Sequence, residues 1–222
     1  MYKRQFPEHS LTGLKAALTH KVDYVEPDLV LSKDGVPVVL HDIHIDTTTD
    51  VKKVFPNKKR ENGRYYAIDF TLSELKQLKI NHRIKLKTGK PAIASRVPLK
   101  NPTDQIPTLD EFIKVVLDHN KNNRHQVGIY PEIKAPVFHQ KSGLDTTKII
   151  HDNLLGHYQQ NPGFKIIVQC FASKTLKRLH AEKTPFMLVQ LIGENSWGES
   201  VDNYKKMRTR SCLLYTSPSP RD

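Results

Sequence analysis

The sequence predicts an α/β fold assembled on parallel strands, and three observations carry that expectation. Past Pro107, short and near-continuously apolar runs at 127–133, 164–171 and 186–192 alternate with helical patterns at 108–120, 145–158 and 173–182. Runs that are apolar on both faces, separated by helices of about 10–15 residues, belong to parallel sheets covered on both sides. No glycine-rich phosphate loop follows any of these strands, which argues against a nucleotide-binding version. Periodicity alone fits both a (β/α)8 barrel and an open doubly wound sheet.

The elements follow in order. Residues 11–20, LTGLKAALTH, place Leu11, Leu14, Ala17 and Leu18 at helical spacing. Residues 22–31 are rich in β-branched and apolar side chains, Lys33-Asp34-Gly35 reads as a turn, and 36–40 is again strand-like. Pro37 suits the second run to an edge, since it cannot donate to a ladder. Residues 44–107 are polar and irregular, broken by Pro56, Gly63, Gly89, Pro91, Pro98 and Pro102. They read as one long loop except for a helix at 71–78, where Thr71 and Glu74 form a capping box. Loops of this length in a compact domain are lids or substrate-binding insertions. The helix at 108–120 carries the same signature, Thr108 with Glu111, ahead of an apolar face of Leu109, Phe112, Ile113, Val116 and Leu117.

Composition bounds the function classes. The 222 residues are 37% hydrophobic and 26% charged, enough to bury a core. No apolar run reaches the roughly 18–20 residues of a membrane span. The formal charge of +12 is spread in short groups, with no zinc-ligand spacing, aromatic RNA-binding signature or heptad repeat, so it reads as a solvated basic surface and no nucleic-acid partner is expected. Nothing in the pattern fixes an oligomeric state. Cys170 lies in an apolar run and reads as a small buried hydrophobe. The string LLYTSPSPRD at one end and MYKRQ at the other resemble translated sequencing-adapter read-through. Residues 1–5 and 211–222, the second stretch containing Cys212, are therefore read as non-native ends and set apart from a domain of 6–210.

Chemistry concentrates at three places. Glu26 and Asp28, two apart on a strand, present carboxylates on one face. Such a pair is costly unless a cation sits between its members, and a hard divalent ion with oxygen ligands suits it. Glu132 and Lys134 repeat the spacing in GIYPEIK, offering a third carboxylate and a cation for a phosphate oxygen. Both pairs are expected at the C-terminal ends of strands, where α/β barrels gather their sites. His41 closes VPVVLHD, on a strand that runs back from the turn after Glu26 and Asp28, and a histidine there can act as general acid or base.

The stretch PEHSLTGLKAALTHKVDYVEPDLVLSKDGVPVVLHD resembles the pattern of the glycerophosphodiester phosphodiesterases: P-E-[HN]-[TS]-L, E-x-D, [TS]-K-D-G and V-x-x-H-D. NGRYYAIDFTLSELKQL, VGIYPEIKAP, IVQCF and LVQLI resemble the longer, periplasmic-type bacterial branch, and the likeness covers about 6–192. The resemblance implies a TIM-type barrel that hydrolyses glycerophosphodiesters, such as glycerophosphocholine, to sn-glycerol 3-phosphate and an alcohol. It implies Glu26, Asp28 and Glu132 as ligands of a divalent metal, Ca²⁺ in this branch with Mg²⁺ as the other option. His41 would be one of two acid/base histidines, Lys134 would contact phosphate, Glu8 would sit beside the site, and Gln169 and Phe171 would line it. The insertion would lie near the glycerol end of the substrate, and the full-length protein would be periplasmic or secreted. Two rival readings are a barrel phosphodiesterase acting on intact lipid and a non-catalytic anion-binding module.

The family opens with a strand ending H-R-G, and only MYKRQ precedes Phe6. The expectation is an incomplete barrel, lacking its first and last strands, with open sheet edges that leave the chain inactive and unstable. A direct assay of the purified chain is expected to give turnover far below that of a whole member of the family.

Overall fold

The computed structural model describes residues 6–192 and the two residues Leu214–Tyr215. Helix α1 (Leu11–Leu18) starts where the Ser10 hydroxyl accepts from Gly13 N, and it buries Leu14, Ala17 and Leu18. The expected strand at 22–31 forms as two pieces, β1 (Tyr24–Val25) and β2 (Asp28–Leu31), broken at Glu26-Pro27. The strand expected at 127–133 is broken in the same way at Tyr130-Pro131, into β4 (Gly128–Ile129) and β5 (Glu132–Ile133). Proline supplies no N–H, so each break falls where the ladder loses a donor. The pairing survives on both sides in one register: β1 and β4 run parallel with Val25 opposite Ile129, and β2 and β5 run parallel with Asp28 opposite Glu132.

Strand β3 (Pro37–Val39) returns antiparallel on β2 and is an edge strand, as Pro37 suggested. Its outer side is covered, because Val39 N donates to Pro107 O at 2.8 Å and Val38 bridges Thr108. The chain's own return from the insertion thus closes the outer side of β3, while β1 pairs with β4 alone among the described residues. Beyond β5 the sheet continues in parallel through β6 (Ile167–Cys170) and β7 (Met187–Leu191) to β8 (Leu214–Tyr215), giving the order β3-β2-β5-β6-β7-β8. Residues 1–5 and the rest of the tail, 193–213 and 216–222, lie outside the described residues. The expected non-native stretch 211–222 thus contributes a two-residue strand through Leu214–Tyr215.

Helices α4 (Leu109–Lys121), α6 (Thr146–Gln160) and α7 (Ser173–Ala181) match the expected helices to within two residues. Both capping boxes are present, at Thr71/Glu74 and at Thr108/Glu111. A further short helix, α5 (Pro136–Lys141), was not anticipated; it follows Ala135, whose backbone is left-handed at φ 41°. Alternation along the strands divides the sheet cleanly. Val25, Leu29, Leu31, Ile129, Ile133, Val168 and Cys170 join the core built with α1, α4, α6 and α7. Asp28, Val30, Glu132, Lys134 and Gln169 alternate with these and so share the opposite face.

Residues 44–107 depart from the irregular loop that their composition suggested. They hold helix α2 (Val51–Val54), a 3-10 turn (Ala67–Asp69) and helix α3 (Leu72–Leu75), the last shorter than the expected 71–78. They also build a second core, in which Ile45, Val51, Tyr65, Phe70, Leu75, Leu78 and Ile106 pack with Val30 and Val38. Asp46, fully buried, receives Arg64 through two bonds of 2.7 and 2.9 Å. The insertion is therefore a packed layer on the acidic face of the sheet.

His139 on α5 is fully buried and neither ring nitrogen has a hydrogen-bond partner. Burial alone pushes its pKa down to about 4. The folded state then refuses a proton that the unfolded chain accepts below about 6.5. Stability from this site is complete above pH 6.5 and is lost as pH falls toward 4, by up to about 1.4 kcal/mol per pH unit. Urea midpoints between pH 4 and 7 are expected to fall more steeply for the native chain than for H139L.

Candidate active site

The break in each strand makes the site. Asp28 opens β2, Glu132 opens β5, and Glu26 lies in the gap before Asp28. The acids were expected at the C-terminal ends of their strands; they stand instead at a proline break within them, because Pro27 and Pro131 interrupt what the sequence presents as single runs. One carboxylate oxygen from each of Glu26, Asp28 and Glu132 lies within 4.8 Å of the others. Lys134 shares the face of Glu132, as its spacing implied, and its Nζ sits 2.9 Å from Glu132 Oε2 and 3.3 Å from Asp28 Oδ1.

His9, which the sequence reading left without a role, completes the cluster. Its backbone is left-handed at φ 56°, rare for a residue with a side chain, and its Nε2 lies 2.8 Å from Asp28 Oδ2. Its signal in the sequence is the PEHS motif, beside Glu8. Burial opposes the charge on Asp28, yet His9 and Lys134 overcome it and hold this carboxyl below the ordinary range. Burial and the nearby Asp28 charge push Glu132 up to about 8 and raise Glu26, despite Lys134. His9 and Lys134 are themselves held in the charged form, against burial, by these acids.

Gln169 on β6 is opposite Glu132 in register. Its Nε2 donates to Glu26 Oε1 and to Tyr130 O at 3.3 Å. Tyr130 N, Glu132 N and Lys134 N donate to Val25 O, Pro27 O and Leu29 O, while Pro27 has no N–H to give back. Gln169 thus occupies the carbonyl that the proline leaves unanswered, and it orients Glu26. Phe171 is half-buried just past β6, with its carbonyl accepting from Gln190 Nε2 at 3.0 Å.

His41 lies just past β3. Its Nδ1 lies 2.7 Å from Asp42 Oδ1. Asp42 is held well below the usual carboxylate range: His41 and Arg83 outweigh its burial. An ionised Asp42 can only accept, so Nδ1 carries the proton and Nε2 is the nitrogen left to face a ligand. Arg83, from the insertion, bonds Asp42 through Nη1 and Glu8 through Nη2 and Nε, the last at 3.1 Å. Glu8, expected beside the site, is engaged by Arg83. Arg83 was not legible, because nothing in the chain between 44 and 107 marks which of its basic side chains turns inward.

The residues present fit a divalent cation. Three carboxyl groups converge beside one lysine and one histidine, a bound cation would favour the ionised forms of Glu26 and Glu132 that burial opposes, and buried Asp28 Oδ1 has only the 3.3 Å ion pair with Lys134. An all-oxygen donor set suits a hard ion.

A family model described as the glycerophosphoryl diester phosphodiesterase family matches residues 2–221. The chain belongs to this family. It is 38% identical over 207 residues to a glycerophosphodiester phosphodiesterase of Haemophilus influenzae, covering 90% of this chain and 57% of that relative. Against the corresponding Treponema pallidum protein it is 30% identical over 204 residues, with the same coverages. It therefore spans less than two thirds of the length of these phosphodiesterase relatives. Among solved structures, an Oleispira antarctica phosphodiesterase in complex with the product sn-glycerol-3-phosphate matches with a TM-score of 0.59 at 20% identity, over 85% of this chain and 62% of that one. A glycerophosphodiester phosphodiesterase from Agrobacterium tumefaciens matches with a TM-score of 0.55 at 19% identity, over 83% and 61%. These likenesses establish the fold, an arc of the TIM-type α/β barrel of the phosphodiesterase family, and decide between the two architectures that periodicity left open.

Removing Arg83 strands two carboxylates side by side. Because the guanidinium is only partly buried, R83Q is expected to cost about 1–3 kcal/mol, below the ~3–5 of a fully buried pair. Chemical denaturation measures this, and R83K is expected to recover part of the loss.

Proposed function

We propose that this chain carries the metal-binding half of a glycerophosphodiester phosphodiesterase site, acting in the whole protein to hydrolyse glycerophosphodiesters such as glycerophosphocholine to sn-glycerol 3-phosphate and an alcohol. The observation that carries the reading is the convergence of Glu26, Asp28 and Glu132 within 4.8 Å, with Lys134 beside two of them. Membership of the family supports it, as does the sn-glycerol-3-phosphate product held by the Oleispira antarctica enzyme.

Glu26, Asp28 and Glu132 would hold the cation, with Ca²⁺ the fit for a flexible carboxylate set and Mg²⁺ the alternative. The bound ion would supply Lewis-acid neutralisation of a phosphoryl oxygen. The chain's own side chains do the rest. Lys134 offers its ammonium to a phosphate oxygen, His9 keeps Asp28 ionised and oriented, and Gln169 fixes Glu26. His41, with Nδ1 held by Asp42, exchanges a proton at Nε2 with an attacking or departing oxygen.

Calorimetric titration of the chain with Ca²⁺ and Mg²⁺ tests the ligand set. Binding is expected for the native chain and a loss of more than about 100-fold in D28N or E132Q, exceeding the roughly 10–100-fold effect of a typical outer-shell change. In the whole protein, H41A is expected to lower glycerophosphocholine turnover by about 10²–10⁴ with cation binding retained.

A further inference from the structure

The segment that supplies Arg83 continues outward as a structure of unusual composition. Residues 83–92 form a hairpin: Ile84 bridges Pro91, Lys85 N donates to Lys90 O at 2.8 Å, and Ala92 N donates to Arg83 O at 2.9 Å. Gly89 turns its tip with φ +67° into open space. Every residue from 85 to 90 is exposed. The chain then loops through 93–98 and is tied back where Asn81 Oδ1 accepts from Leu99 N at 2.7 Å and Asn81 Nδ2 donates to Leu99 O at 2.9 Å.

Two properties coincide on this projection. No acidic residue occurs between Leu75 and Thr103, and among the described residues Lys85, Lys87, Lys90 and Lys100 have no carboxylate partner. Of the seven exposed large apolar side chains among the described residues, four lie here: Leu86, Ile93, Leu99 and Val97, the last 65% exposed. Elsewhere the insertion buries its apolar residues in its own core. Aliphatic side chains held out in water between unpaired lysines are the composition of an interfacial anchor, in which the chains enter the acyl boundary and the ammonium groups meet anionic headgroups. A nucleic-acid surface would call for aromatic side chains on which bases stack. None of Phe, Tyr or Trp occurs between 83 and 103.

We propose that the 83–100 projection docks the protein on anionic lipid bilayers, with Leu86 and Val97 entering the interface and Lys85, Lys87 and Lys90 pairing with headgroups. The root of the hairpin is Arg83, which grips Glu8 and, through Asp42, His41. The docked face is therefore mechanically continuous with the candidate active site. This goes beyond the catalytic reading and does not depend on it.

The test is partition of the full chain onto phosphatidylcholine vesicles containing roughly one-third phosphatidylglycerol, against pure phosphatidylcholine vesicles, at low and raised salt. Binding is expected only to the anionic vesicles and is expected to weaken as salt rises. Neutralising Lys85, Lys87 and Lys90 together to Gln is expected to reduce it more than tenfold. L86D with V97D is expected to reduce it as well, with thermal midpoints unchanged because all these side chains are exposed. Failure to bind anionic vesicles at low salt, equal binding to the zwitterionic ones, or undiminished binding by both variants overturns the proposal. Tighter retention on single-stranded DNA than on the anionic vesicles would also overturn it, in favour of a general polyanion site.

Discussion

Asp28 and Glu132 face each other across two adjacent parallel strands, and the rest of the site depends on that register. Both carboxylates are almost fully buried, a placement that is costly for ionised groups unless positive charge is close. Lys134, just past β5, and His9, from the N-terminal turn, supply part of it. The shared proline break at Pro27 and Pro131 gives the cluster its room. It removes ladder donors at one level of both strands, lets Glu26 turn toward Asp28, and leaves a carbonyl for Gln169 to answer. A shift of one residue between these strands would send the acids into the apolar core and the aliphatic side chains into the site.

The alternation that places the acids also explains the insertion. Leu29, Ile133 and Val168 face the helices, while Asp28, Val30, Glu132 and Gln169 face away from them. That second face cannot be left to water, because Val30 and Val38 belong to it. The insertion covers it with a core of its own and reaches down to the site through Arg83. Tyr66 of the insertion stacks on Phe138 of α5 at 5.6 Å, with His44 4.4 Å from Tyr66, so the same layer is fastened to the helix that follows Lys134. His41, Asp42, Arg83 and Glu8 form one continuous polar chain from the edge strand to the N-terminal turn. The orientation of His41 is thus set by a side chain 41 residues away from Asp42 in sequence.

The sequence by itself determined the three long helices after Pro107 and which charged side chains share a strand face. Helix periodicity and capping boxes at Thr71 and Thr108 are local properties, and they placed α4, α6 and α7 to within two residues. The i, i+2 spacing of Glu26 with Asp28, and of Glu132 with Lys134, fixed which side chains share a face, because strand geometry does so regardless of context. Only the tertiary structure decided what those faces meet. The parallel register, the ring of His9 on Asp28 and the Arg83 bridge join residues 19 to 104 positions apart, and no local pattern encodes such distances. The same holds for residues 44–107: their apolar side chains follow neither a helical nor a strand period, so they read as a loop until packing against Val30 and Val38 gives them a common interior.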